Sequence, residues 1–145
     1  IKEQYNKRDV LFDNPDVLPT FSSLVIVKAI QSIGGKDNGF KTWFDALRYM
    51  ENQIDSVDYD IALIGCGAYG MPLAAHCKLM GKKAVHLGGA LQLLFGIKGH
   101  RWEEDGYGMN FGFDYKSLVN NPQWVRPKLE ETPDAANQVE DACYW

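Results

Sequence analysis

The chain has 145 residues and a formal net charge of -4, with 46% apolar and 23% charged residues. That length can enclose a core and that composition is ordinary for a globular protein, which excludes global disorder. No Lys/Arg block stands out and no apolar run reaches the roughly 18 residues a membrane span requires, so neither a nucleic-acid partner nor a membrane span is expected.

In chain order, residues 1–20 are polar, carry Pro15 and Pro19, and read as an arm or linker. Residues 21–145 are expected to form a single domain. Residues 24–30, Leu-Val-Ile-Val-Lys-Ala-Ile, have the β-branched apolar content of a buried strand. Gly34-Gly35 and Asp37-Asn38-Gly39 break the chain. Phe40, Trp43, Phe44, Leu47, Met50 and Ile54 then recur at three- and four-residue spacing, opposite Lys41, Asp45, Arg48 and Glu51. That spacing predicts an amphipathic helix.

A short strand over 60–64 enters Gly65-Cys66-Gly67-Ala68-Tyr69-Gly70, followed by a helix over 71–78 with Pro72 in its first turn and Gly81 beyond its end. Lys83-Ala84-Val85-His86-Leu87 reads as a third strand, Gly88-Gly89 closes it, and 90–95 read as a short helix. The alternation β-α-β-α-β-α calls for a parallel sheet with right-handed crossovers, hence a three-layer α/β domain. From Gly96 to Gly112 glycines interrupt charged and aromatic residues, predicting loops. A short helix is expected near 115–119. The tail from Pro122, with Trp124 and Trp145, is expected to wrap the domain as an irregular strap.

Gly65, Gly67 and Gly70 form a G-x-G-x-x-G turn between strand and helix, the context in which such a turn can hold a phosphate. The first glycine allows a sharp turn, the second lets a ligand approach bare backbone, and the third lets helix and strand pack closely. Ala68 and Tyr69 complete the turn, Tyr69 being a candidate, with Trp102, to flank a base or sugar. The positive end of the helix dipole faces whatever lies above it. The same glycines serve equally for a tight turn without a ligand. A dinucleotide site asks for an acid about 20 residues on, at the end of the next strand. Here that strand ends His86-Leu87-Gly88-Gly89, so an NAD-dependent oxidoreductase is the lesser reading.

Gly88, Gly89 and Gln92 open a second anion-accepting terminus, which a parallel sheet puts on the same edge as the first. Lys98 and Arg101 are candidate diphosphate ligands, and Trp102 is a candidate platform for a base or sugar. His86 is the candidate catalytic base, against a purely structural histidine. Cys66 is a candidate thiolate within the turn, against a small buried residue. His76 reads as structural. Asp58-Tyr59-Asp60 resembles a metal-binding D-x-D but lies at the wrong end of its strand. Glu103-Glu104-Asp105 could hold Mg²⁺, and the aromatic, glycine-rich residues 107–113 could cover a sugar; a solvated acidic loop and a packed irregular loop are the simpler alternatives. No metal-ligand spacing is legible. Cys66, Cys77 and Cys143 include no C-x-x-C pair, so no disulfide framework or zinc site is suggested and a reducing cytoplasm is expected. No signal-peptide pattern is read.

The stretches 60–70, 83–89 and 92–99, with the ending Cys143-Tyr144-Trp145, resemble the carboxyl-terminal part of a bacterial family associated with surface-polysaccharide synthesis. That family looks related to the D-type glycosyltransferases. The resemblance extends from about Phe21 onward and implies a Rossmann-like fold that binds a nucleotide sugar, with Mn²⁺ or Mg²⁺ accompanying it. It also implies a longer protein, in keeping with a sequence that starts at Ile1, and an amino-terminal domain or a second subunit as partner. In the D-type enzymes a D-x-E motif in the amino-terminal half carries the metal chemistry; no D-x-E occurs here. The alternative is a non-catalytic interaction module that keeps the glycine turn for packing alone.

Overall fold

A computed structural model describes residues 1–32, 37–138 and 140–145. The Gly34-Gly35 break lies outside them. The fold is α/β: a two-stranded parallel sheet with helices and many single helical turns. In chain order the regular elements are α1 (Lys2–Tyr5), α2 (Trp43–Asp55), β1 (Ile61–Ile64), α3 (Gly70–Leu79), β2 (Lys83–His86), α4 (Ala90–Leu94) and α5 (Tyr115–Val119). The chain divides into two compact units, Ser23–Leu91 and a second made of Ile1–Ser22 with Gln92–Trp145.

The unit Ser23–Leu91 holds the sheet. Thr42 caps α2 by accepting a hydrogen bond from the Asp45 amide while the Asp45 carboxylate accepts from the Thr42 amide, so two otherwise orphaned donors are satisfied. Ala46, Met50 and Ile54 form the buried stripe of the helix at four-residue spacing. Phe44, counted with that stripe on spacing, instead lies 62% exposed on the far side, because it is the residue next to Trp43 and falls about 100° round the helix. The core is completed by Ile64, Tyr69, Leu73 and Cys77, with Ala62 and Ala84 packed against it.

The strands pair in parallel with Ala62 beside Ala84 and Ile64 beside His86. Alternation therefore turns Ala62, Ile64, Ala84 and His86 to one face of the sheet. The three of these that join the core meet α2 and α3 there. Residues 24–30 correct the expectation of a buried strand there: they have no regular secondary structure and enter no ladder. β-branched content expresses a fit to a half-buried surface and does not supply a partner strand. Val27, Ala29 and Ile30 use that fit to pack on the core, whereas Val25 and Ile26 face outward.

In the other unit the amino-terminal residues, read as an arm or linker, are a packed part of the structure. Leu11 and Leu18 are buried, and the buried Gln4 amide donates to the carbonyls of Gly96 (3.1 Å) and Gln123 (3.0 Å). Trp124 donates its indole N–H to the Leu11 carbonyl at 2.8 Å. The tail from Pro122 is irregular, with single helical turns at Leu129–Glu131, Ala136–Gln138 and Glu140–Ala142. No described helix is long and apolar enough to cross a membrane.

Because Met50 is 1% exposed and Phe44 sits in solvent on the same helix, the two should respond differently to truncation. Met50→Ala is expected to cost about 2–5 kcal/mol in urea unfolding and Phe44→Ala within about 0.5 kcal/mol.

Candidate functional site

β1 and β2 run in parallel side by side, so both glycine turns emerge from the same edge of the sheet. After Ile64 the chain makes one tight helical turn over Gly67–Tyr69 and passes into α3 at Gly70. The first hydrogen bond of that turn runs from the Tyr69 amide to the Cys66 carbonyl, 3.2 Å. The amides of Gly67 and Ala68 precede it and, as at any helix start, find no backbone acceptor among the described residues. Gly67 has φ +53° with open space where a side chain would stand. Gly88, in the turn after β2, has φ +58° and the same open space. Leu91 closes that second turn by donating its amide to the Gly88 carbonyl at 3.2 Å.

The outer two glycines of the first turn are there for close approach. A methyl group on Gly65 would sit 2.7 Å from the Gly88 carbonyl oxygen and 2.8 Å from Leu91 Cβ. On Gly70 it would fall within the imidazole of His86. The His86 ring thus fills the place of a missing side chain, and its Nδ1–H donates to the Ile64 carbonyl at 3.2 Å. In the neutral ring this leaves Nε2 as the acceptor.

Tyr69 contributes only its backbone to the turn. Its ring is buried and stacked on Trp43 at 4.8 Å with 4° between planes, and its hydroxyl hydrogen-bonds Ser32. Cys66 is half-buried, and burial pushes its thiol up to about 11. At neutral pH it is a protonated packing residue, and the thiolate reading has no support. His76 bridges helices, with Nε2 2.9 Å from Asp55 and Nδ1 3.8 Å from Glu51 on α2.

Gln92, Lys98, Arg101 and Trp102 belong to the other compact unit, where each has an internal partner. The Gln92 amide donates to the Tyr144 carbonyl at 2.8 Å. Lys98 pairs with Glu103 at 3.0 Å and donates to the Val119 carbonyl. Arg101 pairs with Glu140, donates to the Tyr144 hydroxyl at 3.2 Å and lies over the Tyr144 ring. Trp102 is buried edge-on to Tyr144. Each of the candidate magnesium carboxylates is likewise paired: Glu103 with Lys98 and Arg126, Glu104 with His100, and Asp105 with Lys116. Asp58 pairs with Lys82, which holds its carboxyl below the usual range. Among the described residues no group of three His, Cys, Asp or Glu side chains converges. The described residues therefore do not fit a metal centre.

Comparison with protein-family models, curated proteins and solved structures finds no match to this chain.

Sequence reasoning passed over the role of Trp43, whose stacking holds the Tyr69 ring in the core. The available signal was its place two turns before Met50 on the apolar stripe, which predicts burial beside the turn.

Two outcomes follow from this geometry. Gly70→Ala should lower stability by about 1–3 kcal/mol through overpacking. Most of that loss should vanish in a His86→Ala background, as a double-mutant cycle in urea would register. Alkylation of Cys66 by iodoacetamide at pH 8, followed by peptide mass spectrometry, should run roughly a hundredfold slower than for a free cysteine, because thiolate is the reacting form.

Proposed function

We propose that the chain is the nucleotide-sugar-binding part of a glycosyltransferase-like protein of surface-polysaccharide synthesis, working in the cytoplasm. One observation carries the proposal: two open glycine turns, at Gly67 and Gly88, lie at the carboxyl ends of adjacent parallel strands. Ligands of open α/β sheets bind outside that edge. The diphosphate would rest on the Gly67 and Ala68 amides at the approach to α3, where the helix dipole favours negative charge. Gly88 and Gly89 would flank it from the neighbouring turn. His86, with Nδ1 tied to Ile64, would present Nε2 as a proton acceptor near the same edge. The two strands and their two helices would be one half of a three-layer Rossmann-like sheet, with the rest of the sheet and the catalytic carboxylates outside this chain.

A non-catalytic interaction module is the competing reading, and a specific observation favours it. Gly65 and Gly70 are both fully accounted for by packing. Gly67 separates the two readings, since nothing among the described residues packs within 4 Å of where its side chain would be.

Titration calorimetry with UDP-, GDP- and dTDP-sugars, with and without Mn²⁺ and with NAD as a control, should yield binding of one sugar nucleotide. Ligand at 100 times its dissociation constant should raise stability by about 2.7 kcal/mol. Gly67→Val, checked for folding by circular dichroism, should weaken that binding about tenfold or more by blocking approach to the backbone. Unchanged affinity in the variant, or no binding by any of these nucleotides, would favour the packing module; NAD binding alone would favour an oxidoreductase.

A further inference from the structure

Helix α3, Gly-Met-Pro-Leu-Ala-Ala-His-Cys-Lys-Leu, is apolar nearly all round, the pattern of a helix covered on both sides. Only one side is covered. Leu73 and Cys77 enter the core, while Met71 and Leu79 are 69% and 86% exposed. Beside this outer side runs a shallow groove of about 450 Å³ lined by Met71, Ala74, Ala75 and Lys78 of α3, and by Lys82, Lys83 and Ala84 at the start of β2. No β1 residue lines it, so it lies along the margin of β2 away from β1.

That margin is an unpaired strand edge. β2 bonds to β1 alone among the described residues. The Leu87 amide donates to the Ile64 carbonyl at 2.8 Å, continuing the ladder just past β2. Backbone groups of a parallel strand alternate between neighbours, so Lys83 and Val85 face β1 while Ala84 and His86 hold their N–H and C=O toward the open side.

Charge along the groove has one sign. Lys82 is held by Asp58 at 3.0 Å and by the Tyr59 carbonyl at 3.1 Å. Lys78 and Lys83 make no ion pair among the described residues, and no acid lines the groove. An open edge, an apolar trough and a lysine rim match the requirements of strand addition, in which main-chain bonds give affinity and alternate side chains give specificity.

We propose that this groove binds an extended acidic peptide segment as an added strand on β2. Its backbone pairs with Ala84 and His86. Its apolar side chains enter the trough at Met71 and Ala75, and its carboxylates meet Lys78 and Lys83. A second copy's residues 24–30 would be the wrong occupant, since they carry Lys28 and no acid.

The probe is a fluorescein-labelled seven-residue peptide alternating glutamate and valine, followed by anisotropy on the whole chain. It should bind, and binding should weaken as ionic strength rises from about 50 to about 500 mM. Lys78→Glu with Lys83→Glu, both exposed, should weaken it about tenfold or more. Hydrogen exchange on the unmutated protein should slow at the Ala84 and His86 amides when peptide is present. The assignment is overturned if a lysine-valine peptide binds equally, if replacing the valines by proline leaves affinity intact, or if nothing binds at about 1 mM. Lysines that only guard the edge against pairing would give that last result. Concentration-dependent self-association protecting the same two amides without peptide would overturn it as well, by placing a second copy on the edge.

Discussion

The imidazole of His86 lying where a side chain on Gly70 would be is the contact on which the sheet-bearing unit depends. It lets the start of α3 settle against the end of β2. Together with the Gly88 and Leu91 approach to Gly65, it brings the two turns side by side. Neither approach tolerates even a methyl group, since protein interiors are close-packed and an added carbon must displace something. With the outer glycines committed to packing, Gly67 alone is left to face open space. Geometry thus divides one six-residue motif into two structural positions and one position free for a ligand.

That division limits what the site can be. Tyr69 sends its ring into the core, onto Trp43, and the Cys66 thiol is held protonated by burial. What the turn offers is backbone: two amides, without acceptors among the described residues, at the approach to a helix. Such a surface suits an anion and performs no chemistry by itself. In the other unit the charges that might have joined it are spent internally, Arg101 on Glu140 and Tyr144, Lys98 on Glu103. The Arg101 contacts fasten the carboxyl-terminal residues, together with the Gly99 approach to the Tyr144 backbone, 2.6 Å from where its side chain would begin. Lys98, Arg101 and Trp102 thus have a complete structural explanation within their own unit.

Much of the local structure was legible in the residues themselves. Apolar spacing located α2, the G-x-G-x-x-G turn located the join of β1 and α3, and Gly88-Gly89 marked the end of β2. These signals succeed because periodicity, capping and glycine turns act within a few residues. Residues 24–30 and 1–20 were misread for the opposite reason. A ladder needs a partner strand and burial needs a distant neighbour, and neither is written in the segment itself. Nothing within residues 1–20 announces that Gln4 will meet Gly96 and Gln123, or that Leu11 will be buried. The open side of α3 had a local signal: Met71, Ala75 and Leu79 leave the helix without a polar face. The sequence shows that face to be apolar, and only the structure shows it uncovered.

The central claim is that the free amides of the glycine turns, and no side chain of the turn, receive a nucleotide diphosphate. Amide chemical shifts of ¹⁵N-labelled protein during titration with a UDP-sugar, and in parallel with GDP- and dTDP-sugars, test it most directly. The account predicts saturable shifts at Gly67, Ala68, Gly88 and Gly89 with one of these nucleotides. Shifts confined to other residues, or none at millimolar nucleotide, would contradict it.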